Sequence, residues 1–337
     1  MKSKLLQAEL SARARRIAER REVTISGVRT AYWFYAATKG SKSPATLVMI
    51  HGYRGNHHGL EAIAGALENI NVVIPDLPGF GESEPFTTTH SIENYAEWLH
   101  GFLVSLKLPK KPHLLGHSFG SIVVSAQAAR FEDIATLILE NPVAAPALAG
   151  PKAFTTAVAK GFFWLSGALP ERTGISLLKG FAMVRGMSVL MAKTNNRQLR
   201  KWIHRQHDEN FNDFASRKVA LEAYEASVSN CVGDFAKNLS VPVLLLAAKR
   251  DDITTVAQQR ELAEKIGSTQ RQLEVFNGVG HLTHYEIPEK IAEHVSGWVT
   301  AHDYRHNRRS LFRCSIHPCR SPRWHQPFFC GALRRNF

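Results

Sequence analysis

The chain has only four cysteines in 337 residues, and three of them, Cys314, Cys319 and Cys330, crowd towards its end, leaving Cys231 alone. This distribution excludes a disulfide framework, and the spacing forms no C-x-x-C pair of the kind zinc sites use. H-E-x-x-H is missing too. The histidine-rich run 197–209, with His204, His207 and Asp208, therefore reads as a solvated helix face, and no metal is expected. Neither G-x-x-x-x-G-K-S/T nor a G-x-G-x-x-G after a first strand occurs, which removes nucleotide binding. No apolar run approaches the eighteen or so residues of a membrane span, and the start has no continuous apolar segment of a signal peptide, so a cytoplasmic protein is expected.

Acidic residues are absent from one stretch. Residues 305–337 hold eight arginines and no Asp or Glu, while residues 1–22 hold seven bases against three acids, so most of the formal charge of +13 lies at the two ends. The body of the chain is close to neutral, which argues against a nucleic-acid partner. Residues 1–21, with Leu5, Leu6, Leu10 and Ile17 among the bases, read as a basic amphipathic helix. Such a helix either stands solvated or rests on an acidic membrane surface.

What the chain does contain is Gly116-His117-Ser118-Phe119-Gly120, directly after the apolar run 112–115. A serine on a tight strand-to-helix turn is pushed into a cleft, and flanking glycines let neighbouring segments approach closely. A free hydroxyl is a poor nucleophile near neutral pH, so a base must take its proton and an acid must orient the base. Both partners follow in order. The buried-strand pattern 241–248 ends at Asp251, and the strand 272–276 leads into Asn277-Gly278-Val279-Gly280-His281, a loop presenting a histidine. Asp251 is read as the acid and His281 as the base. Asp252 and Glu140 are the alternative acids, and His284 is expected to pack beneath the loop.

An oxyanion hole is supplied by His51-Gly52-Tyr53-Arg54-Gly55 after the strand 45–50. The backbone N–H groups of Tyr53 and Phe119 are the expected donors, with both side chains lining the pocket. His51, Gly52 and His117 belong to its expected lining.

These motifs, together with the Asp76 to Ser83 loop and Gly278 to Glu289, resemble the α/β-hydrolase superfamily over about residues 22–300. The resemblance implies a mostly parallel, doubly wound eight-stranded sheet with helices on both faces and hydrolysis at its C-terminal edge. Serine at 118 separates the chain from the haloalkane dehalogenases and epoxide hydrolases, which place aspartate there. The alternation of strands and helices agrees. It fails at 147–236, where roughly ninety residues separate consecutive strands. In the family, an insertion here is a helical cap, and helices are expected over 153–169, 175–192, 196–207 and 214–227. Phe162 and Trp164 are its candidate substrate contacts. The domains are thus a helix at 1–21, a core at 22–146 and 237–303, a cap at 147–236, and a disordered basic tail at 304–337.

The expected activity is hydrolysis of a small lipophilic carboxylic ester through an acyl-enzyme, without a cofactor. A carbon-carbon bond hydrolase of a ring-fission diketone, using the same triad, and a non-catalytic ligand-binding protein are the alternatives.

Overall fold

The computed structural model describes residues 5–40, 42–146 and 153–314. It begins with α1 (Leu6–Ile17), which passes directly into β1 (Ala18–Ile25). Ser26 and Gly27, with φ of 49° and 83°, turn the chain into β2 (Val28–Tyr35), and the pairing runs from Ile25↔Val28 out to Ala18↔Tyr35. Positive φ at both central residues is what a two-residue hairpin needs. The expected helix over 1–21 is therefore corrected at its end, since residues 18–21 belong to the strand. Glu19, Arg20, Arg21 and Glu22 form ion pairs along this outermost strand. Charged side chains suit an edge, because they discourage pairing with another chain.

The rest of the sheet is built from β3 (Thr46–Ile50), β4 (Asn71–Pro75), β5 (His113–His117), β6 (Thr136–Glu140), β7 (Val243–Ala248) and β8 (Arg271–Phe276). The order is β1-β2-β4-β3-β5-β6-β7-β8, with β2 antiparallel to both neighbours and the remainder parallel. The eight-stranded, mostly parallel sheet is as expected. β5, β6 and β7 are buried at every position, which explains why their sequences are continuously apolar rather than alternating.

Helices cover both faces. On one side α1, α2 (Glu61–Ala66) and α12 (Pro288–Cys314) enclose Leu47, Met49, Ile63, Ile291 and Val295. On the other, α3 (Ile92–Ser105), α4 (Phe119–Ala128) and α10 (Val256–Lys265) pack over Val48, Ile50, Leu114 and Leu245. A four-residue helix, α11 (Thr283–Glu286), precedes α12. α12 runs on as helix to Cys314, eleven residues into the stretch expected to be disordered, and the rest of that tail lies outside the described residues.

Between β6 and β7 lie the helices of the segment expected as a cap, α5 (Ala153–Ala168), α6 (Glu171–Leu178), α7 (Phe181–Met191), α8 (Arg197–Asn210) and α9 (Arg217–Ser229). Residues 147–152, where the cap was expected to begin, lie outside the described residues. The single helix expected over 175–192 is two, interrupted at Lys179 and Gly180. By length and composition the stretch Glu171–Met191 is nonetheless apolar enough to cross a membrane, although polar and charged residues interrupt it.

An isolated twelve-residue helix is marginal in water, so α1 depends on docking. Leu10 and Ala14 are buried against α2, Leu5 and Ile17 pack at the helix ends, and Arg15 pairs with Glu61 at 2.6 Å. Most of the apolar side that was considered for a membrane surface is thus turned into the protein. Gly65 lets the two helices meet: a Cβ there would stand 2.0 Å from the Leu10 carbonyl oxygen. Gly65→Ala is expected to cost about 1–3 kcal/mol by overpacking and to speed proteolysis within α1. Unchanged protection of α1 in limited proteolysis would contradict this account of its docking.

Candidate active site

Four loops at the C-terminal edge of the parallel strands supply the site. After β5 the chain turns sharply, and Ser118 takes φ 53° and ψ −119° before α4 starts at Phe119. A non-glycine residue in this region stores on the order of 1–3 kcal/mol and persists only when its surroundings enforce it. Here they do. The Ser118 N–H donates to the Glu140 carbonyl at 3.1 Å, and the Ser121 N–H donates back to the Ser118 carbonyl at 2.8 Å. A Cβ on Gly116 would meet the Gly120 carbonyl oxygen at 2.5 Å, and one on Gly120 would meet that of Ile50 at 2.4 Å, so both positions require glycine for close approach.

His281 bridges the serine and an acid. Its Nε2 lies 2.8 Å from Ser118 Oγ and its Nδ1 lies 2.9 Å from Asp251 Oδ2. A carboxylate beside Nδ1 fixes the proton there, which leaves Nε2 as the acceptor facing the hydroxyl. Asp251 is itself held through Oδ1, which accepts the Ile253 N–H at 2.7 Å. Asp252 turns away and pairs with Lys193, while Glu140 sits buried beneath the site and accepts a hydrogen bond from Thr283 Oγ1 at 2.6 Å. Of the three candidate acids, the structure brings Asp251 to His281. His284 is buried below, its ring 4.1 Å from that of His117.

Asn141 was not singled out from the sequence. Its Nδ2 donates to the His281 carbonyl and to Thr283 Oγ1, each at 2.8 Å, and its Oδ1 accepts the Ala248 N–H at 3.0 Å. One side chain thus ties the end of β7 to the loop that carries His281. The only sequence hint was an asparagine directly after a buried strand.

Among the described residues, the N–H groups of Tyr53 and Phe119 donate to no protein acceptor, as an oxyanion hole requires. Gly52 passes so near the elbow that a Cβ would lie 3.3 Å from that of Ser118. His51 accepts the Leu77 N–H at Nε2 (2.9 Å), its Nδ1 lies 2.9 Å from the Gly52 carbonyl oxygen, and burial pushes its pKa down, so the ring is neutral and braces the loop.

A cavity of about 240 Å³ opens above the serine, lined by His51, Gly52, Tyr53, His117, Ser118 and His281, with Phe163, Met183, Met187 and Met191 from the cap. Three expectations are corrected. Phe163, not Phe162, faces the cavity, and Trp164 is 73% exposed on the outside of the cap, because successive helical residues point about 100° apart. The Phe119 side chain is buried in the core against Tyr95 rather than lining the pocket. His204 bonds Ser188 and Asp208 pairs with Arg185, whereas His207, read as part of a solvated face, is buried and lines the cavity.

A family model described as the alpha/beta hydrolase fold matches residues 45–288. The chain belongs to the α/β-hydrolase fold family. It is 35% identical to Lipase 1 of Psychrobacter immobilis over 105 residues, a match covering 31% of this chain and only about a third (33%) of that lipase. It is 24% identical to monoacylglycerol lipase of Mycolicibacterium smegmatis over 289 residues, covering 82% of this chain and 95% of that one. Among solved structures, an esterase from Thermogutta terrifontis shares the fold with a TM-score of 0.66 at 24% identity, covering 84% of this chain and 99% of that chain.

Within this α/β-hydrolase, two side-chain groups among the described residues are compact enough to hold a metal ion, His57/His58/Glu61 and His117/Glu140/His284. The first is engaged by protein partners: His57 with Asp76, and Glu61 with His58 and Arg15. In the second, His117 Nδ1, Glu140 Oε2 and His284 Nδ1 have no hydrogen-bond partner, although the two ring nitrogens lie 3.6 and 3.8 Å from the Glu140 carboxylate oxygens. Burial pushes both imidazoles well below their ordinary range and Glu140 up to about 7. Burial thus disfavours charge on all three groups.

That shift has a sign. Between the ordinary glutamate value of 4.5 and about 7, the folded protein binds more proton than the unfolded chain, so Glu140 stabilises the fold fully below this window and loses that contribution as pH rises through it. The loss is on the order of 3 kcal/mol. Glu140→Gln, neutral throughout, is expected to gain about this much on the wild type between pH 4.5 and pH 8 in denaturant unfolding. A stability difference independent of pH would contradict the assignment.

Proposed function

We propose that the protein is a serine hydrolase that cleaves a lipophilic carboxylic ester through an acyl-enzyme intermediate. The observation that carries this reading is His281, hydrogen-bonded at once to Ser118 and Asp251, beside two backbone N–H groups with no acceptor among the described residues. The names of the relatives, lipase and monoacylglycerol lipase, support an ester as substrate.

Ser118 Oγ attacks the ester carbonyl while His281 Nε2 takes its proton. Asp251 holds the ring and stabilises the imidazolium. The Tyr53 and Phe119 N–H groups meet the developing oxyanion, and donors held in place before the reaction need no reorganisation as the charge forms. As the tetrahedral intermediate collapses, the alkoxy group leaves with the proton from His281. Water, deprotonated by His281, then attacks the acyl-enzyme, and as this second tetrahedral intermediate collapses His281 returns the proton to Ser118 Oγ, releasing the acid and the free enzyme. The methionine-rich wall of the cavity suits an apolar acyl or alcohol portion and adapts readily to its shape.

Ser118→Ala is expected to lower kcat on p-nitrophenyl esters by at least ~10³-fold and to abolish labelling by a fluorophosphonate probe. Asp251→Asn should lose on the order of 10⁴-fold in kcat. Asp252→Asn should stay within a few-fold. Turnover undiminished in Ser118→Ala would sink the mechanism. Cleavage of a ring-fission diketone with none of a graded ester panel would move the broken bond from carbon-oxygen to carbon-carbon. Absence of any probe adduct in folded protein would favour a non-catalytic binder.

A further inference from the structure

With the cavity read as an ester site, its described lining contains no Asp or Glu and a single arginine or lysine, Arg54. Arg54 follows the oxyanion donor Tyr53 directly, takes φ 63°, and is only 1% exposed. A guanidinium carries five N–H donors. Nε donates to the Phe211 carbonyl at 3.2 Å, and Nη2 donates to the Leu178 carbonyl at 2.7 Å and to Asn212 Oδ1. Asn212 is oriented for this by its own bond to the Lys179 carbonyl at 3.1 Å. Three donors are thereby filled, and Nη1, with two more, has no partner.

Every acceptor Arg54 meets is neutral, and no carboxylate pairs with it among the described residues. Phe211 and Phe214 flank the guanidinium at 5.4 and 5.3 Å from Cζ. Burial lowers its pKa, with Tyr53 opposing, yet an arginine remains protonated. A buried cation without a counter-ion is costly, and the cost is offset when an anion arrives to pair with it. The fork is held rigid by its other bonds, which suits it to receive carboxylate or phosphate oxygens without further ordering.

A second buried atom without a hydrogen-bond partner belongs to another residue of the same lining. His207 Nδ1 has no partner, its ring lies 5.0 Å from that of Phe211, and burial lowers its pKa to about 3, so it offers a neutral imidazole. The cavity therefore combines a methionine-rich apolar part with a polar part built around one fixed cation.

We propose that Arg54 Nη1 binds an anionic group, a carboxylate or a phosphate, of an amphiphilic ester, so that the preferred substrate is negatively charged. This rests on the ester-hydrolase reading above and adds the charge of what is hydrolysed.

The test compares the p-nitrophenyl half-ester of a dicarboxylic acid with the neutral p-nitrophenyl methyl diester of the same acid. The wild type is expected to favour the charged ester by at least ~10-fold in kcat/KM. Arg54→Met should reduce this ratio to about one, and Arg54→Lys should fall between, because lysine keeps the charge but loses the fork. Equal kcat/KM for the two esters in the wild type would overturn the proposal. So would a loss in Arg54→Met by the same factor for both, the mark of a strut that merely holds the cap. Titration of octyl phosphate, octanoate and octanol onto Ser118→Ala needs neither turnover nor an Arg54 variant that folds. Tighter binding of either anion than of octanol supports the site and tells phosphate from carboxylate, whereas equal binding of all three overturns it. Anion binding without turnover of any ester would sink the hydrolase reading, and with it the charged ester as substrate, and leave only the anion site at Arg54 standing.

Discussion

A serine held at φ 53° is the constraint on which the rest of the site depends. The conformation is unfavourable for a residue with a Cβ, so the surroundings must enforce it. Gly116 and Gly120 allow this by letting the strand, the helix and the end of β3 converge to distances that no side chain would permit. The hydroxyl then stands clear of both β5 and α4, and the first N–H of α4 faces the same space. Every other functional group is arranged around that fixed point.

The partners of Ser118 come from strand ends far apart in sequence, and the sheet brings them together through parallel register. His117 stands opposite Glu140 in the β5–β6 ladder, and β7 adds the edge from which the Asp251 loop departs. Because these strands are buried on both faces, their register is set by packing as well as by hydrogen bonds. Asn141 then takes up the remaining freedom, a local brace where the backbone ladders end.

Much of this was legible in the residue order. The continuous apolar runs gave the parallel strands, and the glycines beside Ser118 and before His281 marked loops whose purpose is local. What was not legible depends on how separate elements face each other. Phe162, Phe163 and Trp164 are chemically alike, and only the rotation of α5 on the core selects Phe163 for the cavity. Residues 18–21 look like more of a basic helix, and it is pairing with β2 that makes them strand. Arg54 stands in a glycine-rich loop with no local acceptor, and its side-chain acceptors lie 124, 157 and 158 residues further on. Asn141 and His207 were hidden for the same reason.

The order of the parts along the chain has a consequence in time. Ser118 and the Tyr53 loop leave the ribosome well before His281, which is made 163 residues after Ser118. At the usual pace of synthesis, about 5–20 residues per second, the hydroxyl stands without its base for roughly 10–30 s. A nascent chain stalled anywhere between Ser118 and His281 would carry the serine without its proposed base, so on the proposed mechanism a growing polypeptide of this protein is chemically silent until His281 has been made.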